Sequence, residues 1–351
     1  MSDAPQLYDA DALTAWVAGI FSHWELPPAD AATVARSLVA ADLRGVDTHG
    51  VARLPSYIER LRRNVVEPRP KVVVRSTMPF AATVDGGNGM GPVVGQIAMD
   101  EALKRADRLG IGVVTARRSN HFGAAAYYAM QAVERGCIGI CLSPASKSLA
   151  PFGSQEPLFG TNPIAVAIPA GRHVPWVMDM ATSVAARGHI RLAARDGHDI
   201  PEGWALDADG RPTTDAERAL AGVMLPFAGA KGSALAMLVD ILGGVLSGSG
   251  FGGSIRNMTD DFEAPQDVGH FFLALQIEGL MPLAEFNARM EQEVERLKAL
   301  KPAAGFQEVL YPGEPEARRE QERRASGIPL STQMVASLRL LADEAGLPFE
   351  L

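Results

Sequence analysis

The order of the periodic segments constrains this chain most. Between Lys71 and Ile277, short apolar runs with strand character alternate with helical stretches closed by glycine. Strands are expected at Lys71–Arg75, Ala81–Asp85, Ile111–Ala116, Cys137–Ser143, Pro163–Pro169, Val174–Met180 and His270–Ile277. Helices are expected from Pro92 to Leu109, Phe122 to Arg135, Gly232 to Leu246 and Leu283 to Leu300, with a last one after Ser331 that ends near Gly346. Ahead of them, Leu13, Trp16, Val17 and Ile20 mark one helix, Asp30–Leu43 a second and Pro55–Arg63 a third. The pattern is α/β without a regular βαβ repeat. Long loops fall at Ser143–Thr161 and Asp207–Phe227, and loops of that length inside a compact domain are often functional. Gly248–Gly253 formally matches G-x-G-x-x-G, but it follows a helix, whereas the dinucleotide fingerprint must follow a strand and open a helix. A Rossmann domain is therefore not expected.

Composition narrows the partners. The 351 residues suggest two or three domains at roughly 150 residues each. A formal charge of −8 argues against nucleic acid and anionic membrane. Two cysteines cannot staple a chain of this length and suit a reducing cytosol. No secretory signal is read at the N-terminus. The apolar stretch Val223–Val245 is interrupted by Pro226, Lys231 and Asp240 and does not read as a membrane span. The expectation is a soluble cytoplasmic protein handling a small molecule.

Several short segments carry chemistry. In Asp47-Thr48-His49-Gly50, a histidine beside a glycine can present its ring to a cleft, and its ordinary pKa of about 6.5 suits proton exchange. Arg53 follows with a fork suited to a carboxylate. The same residues also read as a capping Asp, a surface His and a solvated Arg. In Ser119-Asn120-His121-Phe122-Gly123, Asn120 can cap a helix and place His121 in its first turn, at a strand end where α/β folds bind ligands. Asp179 ends a strand, and Thr182 and Ser183 would suit a phosphate if a helix opened there. Lys231 opens a helix against its dipole, a local violation that points to function or to a side chain snorkelling to solvent. Cys137 and Cys141 share one face of a strand, no further cysteine completes a zinc set, and no metal is expected. Glu314–Arg324 reads as a solvated loop or helix face.

Taken together and in order, the segments resemble the type 2 malate/L-lactate dehydrogenase family. The resemblance rests on ADLRGVDTHGVARLPSYIERL (Ala41–Leu61), DGGNGMGPVVGQIAMDEAL (Asp85–Leu103), RRSNHFGAAAYYA (Arg117–Ala129), FGTNPIAVAIPA (Phe159–Ala170) and VMDMATSVAARG (Val177–Gly188). IPEGWALDADGRPTTD (Ile200–Asp215), AGAKGSALAMLVDILGGVLSGSGFG (Ala228–Gly252) and YPGE (Tyr311–Glu314) complete it. Thr48 stands where Ser is more usual, Ala230 where His is frequent and Ser233 where Tyr is common.

The resemblance implies a non-Rossmann α/β fold, with a nicotinamide-binding domain on a largely antiparallel sheet flanked by helices, a helical N-terminal region and a smaller α/β domain. The expected division is 1–70, then 71–118 with 301–351, then 119–300. It implies an NAD(P)-dependent oxidoreductase and a homodimer. The substrate would be a 2-hydroxy or 2-keto acid, or in the alternative a cyclic imino acid (piperideine- or pyrroline-2-carboxylate) or ureidoglycolate. Sulfolactate dehydrogenases and diketogulonate reductases belong to the same family. By resemblance, His49 is the proton donor/acceptor, with His121 as the alternative and Asp179 orienting one of them. Arg53, Thr48, Thr161 and Asn162 fall at the substrate. Ser143, His173, Met178, Asp179, Thr182, Ser183, Lys231, Pro312, Gly313 and Glu314 fall at the cofactor. NAD is the expected cofactor, NADP being open; Arg172, His173 and Arg187 are the basic candidates for a 2′-phosphate. A non-redox lyase using the same His/Arg pair and a catalytically dead binding protein are the rival classes.

Overall fold

The computed structural model describes residues 5–350. The chain opens with β1 (Gln6–Tyr8), α1 (Ala10–His23), α2 (Pro28–Leu43) and, after two 3-10 turns over Asp47–His49 and Val51–Arg53, α3 (Leu54–Arg62). The helices form where apolar residues recur at helical spacing. Leu13, Val17, Ile20 and Phe21 of α1 are fully buried against Val34, Leu38 and Val39 of α2. Then come β2 (Val73–Met78), β3 (Ala81–Asp85), α4 (Gly91–Leu109), β4 (Ile111–Ser119), α5 (Ala126–Val133), β5 (Cys137–Leu142), β6 (Ile164–Ile168) and β7 (Trp176–Met180). A smaller unit follows with α6 (Arg187–Asp196), β8 (Ala205–Leu206), β9 (Pro212–Thr213), α7 (Ala216–Ala221) and β10 (Val223–Met224). The chain closes with α8 (Ala230–Val239), which runs on as a π-helix over Asp240–Val245, then β11 (Val268–Gln276), α9 (Leu283–Lys298), α10 (Glu314–Ser326), β12 (Ile328–Leu330) and α11 (Thr332–Ala345).

A seven-stranded sheet in the order β2-β3-β4-β11-β5-β6-β7 organises the molecule. Every neighbouring pair is antiparallel except β3–β4, which α4 joins as a crossover. Helices α4 and α5 cover one face, over a core that includes Val94, Met99, Tyr128, Cys137, Cys141 and Phe272. Val239 and the π-helix lie on the other face against Phe271 and Leu142.

Some expectations give way here. The sheet runs through the division expected at residue 118, because β4 pairs with β11 along its length. The segment after 301 packs on the N-terminal helices instead: β12 pairs with β1, α10 meets α2, and α11 meets α1 and α3. Asp207–Phe227 is no loop. It holds β9, α7 and β10, which close on β8 over a separate small core of Ile190, Ile200, Ala205, Ala219 and Met224. Helix α5 begins at Ala126 rather than Phe122, since Gly123 has φ +83 and breaks the first turn. Glu314–Arg324 lies within α10. Among the described residues no helix is long and apolar enough to cross a membrane.

Candidate active site

The DTHG segment is held from below by a buried carboxylate. Asp42, in the last turn of α2, is 2% exposed and its Oδ2 accepts the Val51 N–H at 2.8 Å. Gly50 lies directly on that carboxyl group; a Cβ there would stand 1.8 Å from Asp42 Oδ1, so only glycine lets the turn close. Burial pushes the Asp42 pKa up to about 8. From α10, the Arg323 guanidinium donates to the Asp42 carbonyl and to the Asp47 carboxylate, clamping the same turn. These contacts fix His49, whose Nδ1 lies 3.0 Å from Thr48 Oγ1.

The second histidine is positioned by the glycine-rich turn after β3. Asn120 caps no helix. Its Nδ2 donates to the Gly89 carbonyl at 2.9 Å and to Asn88 Oδ1 at 3.1 Å, tying the His121 loop to the start of α4. Gly91 makes the approach possible, since a Cβ there would lie 2.2 Å from the His121 carbonyl oxygen. Tyr57, delivered by α3, places its hydroxyl 2.8 Å from His121 Nδ1. The two imidazoles then stack, with centroids 5.6 Å apart and planes at 25°.

Burial and one cation keep both rings neutral. The surrounding protein mass, then the Arg53 charge, lower His49 to about 4. The same causes, in the same order, hold His121 well below 6.5. The Gly123 N–H points at His121 Nδ1 from 3.4 Å, which makes that nitrogen the acceptor and leaves the ring proton on Nε2. In the tautomer whose Nδ1–H is donated to Thr48, His49 keeps its lone pair on Nε2. The pair therefore offers one base and one donor. Arg53 is half-buried and its Nε has no partner. Burial pulls its pKa down, and Arg191 adds to that pull. A half-buried cation without a carboxylate is a poised anion site.

Behind this cluster, sequence reasoning missed His270. Fully buried on β11, it bonds Ser143 Oγ through Nδ1 and Ser119 Oγ through Nε2, both at 2.9 Å, and stacks on Phe122 at 4.3 Å. Burial lowers its pKa to about 3. Two serine hydroxyls on a strand-borne histidine belong to sequence positions too far apart for spacing to suggest the contact.

His49 lines a cavity of about 1390 Å³, whereas Thr48, Arg53 and His121 are not on its wall. One wall is α2, with Thr33, Arg36, Ala40 and Arg44; Ala124–Tyr127 and Gln131 of the α5 region face it. Met178 and Asp179 of β7, Thr161, and the Pro312–Gly313 turn before α10 complete it. Asp179 faces the cavity and accepts the Ala126 N–H at 2.8 Å at the start of α5; its burial among these walls raises it to about 6.

The other residues expected at the site lie off this cavity wall. Asn162 is buried, accepting from Ala145 N and donating to the Ala236 carbonyl. Thr182 Oγ1 donates to the Thr161 carbonyl at 3.0 Å, and no helix opens at Thr182 or Ser183, so they offer no helix-terminal phosphate site. Ser143 bonds His270, and Glu314 is bound by Lys298 and Arg318. Lys231 is exposed in the first turn of α8. Of the basic trio, Arg172 pairs with Glu291 and Glu295, Arg187 donates to the Leu220 carbonyl, and the His173 Nε2 is buried without a partner.

A non-Rossmann α/β enzyme is defined by this arrangement, with two stacked histidines, one of them on the wall of a large cavity. The chain belongs to the malate/L-lactate dehydrogenase family, whose model matches residues 8–339. It is 38% identical over 344 residues to a malate dehydrogenase of Pyrococcus horikoshii, covering 96% of this chain and 94% of that one. It is 36% identical over 300 residues to the ureidoglycolate dehydrogenase (NAD(+)) of Escherichia coli O157:H7, covering 86% and 85%. The solved structure of sulfolactate dehydrogenase from Methanocaldococcus jannaschii superposes with a TM-score of 0.92 at 36% identity, over 97% of this chain and 98% of that one.

Proposed function

We propose that this protein transfers a hydride between a nicotinamide cofactor and C2 of a small 2-hydroxy or 2-keto acid. The observation that carries this reading is the neutral His49 beside the unpartnered Arg53, with His49 on the wall of a cavity far larger than a small acid needs. Pockets for drug-sized ligands hold roughly 300–1,000 Å³. The 1390 Å³ here leaves room for a dinucleotide and a small acid together.

The residues present fit such a cofactor. At about 1.5 Å per residue, the stretch of α2 from Thr33 to Arg44 runs roughly 16 Å, an extended wall rather than a compact bowl. Small side chains at Ala40, Ala41, Ala124, Ala125 and Ala126, with Gly123 and Gly313, leave the cleft open. Asp179 offers a carboxylate to a ribose hydroxyl, and Met178, Thr161 and the Pro312–Gly313 turn supply the remaining contacts. Bound there, a nicotinamide supplies the hydride acceptor or donor.

The chain's own residues manage the proton and the carboxylate. Arg53 clamps the substrate carboxylate and so fixes which face of C2 is presented. In the oxidising direction, His49 Nε2 takes the proton of the 2-hydroxyl; in reduction the protonated ring returns it. Help of this kind is worth about 10²–10⁴-fold. His121 donates from Nε2–H to the same oxygen, held by Tyr57. Burial is the larger cause of the low His49 pKa and Arg53 the second; a carboxylate on Arg53 offsets that second cause and so raises the affinity of this base for a proton. Thr48 holds the ring through Nδ1.

The working unit under this proposal is a homodimer. Met237, Leu238, Ile241, Val245 and Leu246 are large apolar residues left exposed on α8 and the turn that continues it, a surface a second copy would cover. The two free, buried cysteines suit a cytoplasmic location. The test is a panel of 2-keto acids and cyclic imino acids with NADH and NADPH, following the absorbance of the reduced cofactor. Turnover of a 2-keto acid is expected. Nucleotide-independent elimination with no redox turnover would replace this reading with a lyase.

A further inference from the structure

Three arginines line the cavity: Arg36, Arg44 and Arg135. Two are already neutralised, Arg44 by Glu320 at 3.3 Å and Arg135 by Asp107 at 2.7 Å. Arg36 is not. Its Nη2 donates to Thr33 Oγ1 at 3.0 Å, and Thr33 in turn donates to the Ala29 carbonyl at 2.9 Å. Tyr127 stands near enough that, while burial raises its pKa, the Arg36 charge pulls it the other way. Asp100 lines the same stretch but accepts from Gln96, at 3.0 Å. The neutral Thr33 hydroxyl thus orients the Arg36 fork without cancelling its charge, which is the arrangement a phosphate requires.

We propose that Arg36 anchors a phosphate of the adenosine half of the dinucleotide. The inference rests on the cofactor reading above. Position along α2 supports it: at about 1.5 Å per residue, Arg36 stands roughly 12 Å from Arg44, on the side away from His49. The alternatives along the wall are unsuited to an anion. Asp179 occupies the amide at the start of α5, and Glu314 and Glu316 sit in the first turn of α10. The cation is therefore at the end of the cavity remote from the proton chemistry, where the adenosine ribose and its phosphates would lie. Arg172, His173 and Arg187 do not reach that end, so Arg36 takes over the role expected of them.

Titration of the folded wild type, Arg36→Ala and Arg36→Lys with NADH and NADPH, followed by cofactor fluorescence, tests the proposal without any turnover. If the phosphate is the 2′-phosphate, Arg36→Ala raises the Kd for NADPH by about tenfold or more, close to 1.4 kcal/mol, and leaves NADH nearly unchanged. If it is the pyrophosphate, both dissociation constants rise together. Arg36→Lys retains part of the affinity in either case, because the charge remains. Unchanged affinity for both nucleotides in Arg36→Ala, with its melting temperature preserved, overturns the proposal. A wild type that binds neither nucleotide sinks the cofactor reading itself, before any variant is made.

Discussion

The two ends of the cavity treat charge in opposite ways. At the His49 end, histidines and an arginine are enclosed: both rings are held neutral, and Arg53 keeps a buried nitrogen without a partner. At the Arg36 end, the cation is exposed and bonded to the Thr33 hydroxyl. Enclosure tunes groups that must exchange a proton, since desolvation decides which form is stable. Openness preserves a charge that only has to attract an anion. The difference also reconciles a chain of net charge −8 with anionic ligands, because the positive field is local to two points of one cleft.

The contrast can be broken most severely at the enclosed end. His49→Ala is expected to lower kcat by about 10²–10⁴-fold in steady-state turnover, with nucleotide affinity retained. Arg53→Ala follows, with kcat/KM for the acid reduced by roughly 10²-fold, about 3 kcal/mol, and a raised KM. Gly91→Ala pushes a Cβ into the His121 carbonyl and should cost about 1–3 kcal/mol of stability, seen as a lower Tm, together with reduced kcat. Tyr57→Phe removes the hydroxyl on His121 and should cost about 1 kcal/mol, near fivefold in kcat.

The pH profile sharpens the same comparison without a mutation. Oxidation requires neutral His49, so activity falls as pH drops through its pKa. Because burial and Arg53 hold that pKa near 4 in the free protein, the acid limb of kcat/KM should lie well below 6.5. The limb of kcat should lie above it, since a bound carboxylate offsets Arg53. Superimposable limbs near 6.5 would mean that neither enclosure nor Arg53 acts on this ring.

Much of this was legible in the sequence, and the remainder had identifiable physical reasons. The strand and helix order is local information, carried by apolar period and by glycine stops, and the non-Rossmann reading followed from the position of one glycine-rich turn. The His49–Arg53 segment and the His121 loop were visible as short motifs. Their convergence was not, because it depends on Asp42 beneath Gly50 and on Gly91 beside His121, contacts between backbone segments far apart in sequence. Arg36 was hidden for another reason: it sits in an ordinary amphipathic helix, and only the cavity shows that its face of α2 is a wall. The split at residue 118 failed because strand pairing between β4 and β11 is non-local. Asn120 looked like a cap because a glycine three residues on does not by itself show that its backbone turns left-handed.

The most direct test of the central claim is a fluorescence titration of reduced nicotinamide dinucleotides into the wild type and into Ala40→Trp. Ala40 lies on the α2 wall between the two ends, and an indole there would fill the cleft. Saturable binding to the wild type is predicted, weakened by about tenfold or more, near 1.4 kcal/mol, in a folded Ala40→Trp. No binding by the wild type, or equal affinity in a folded Ala40→Trp, would contradict the account.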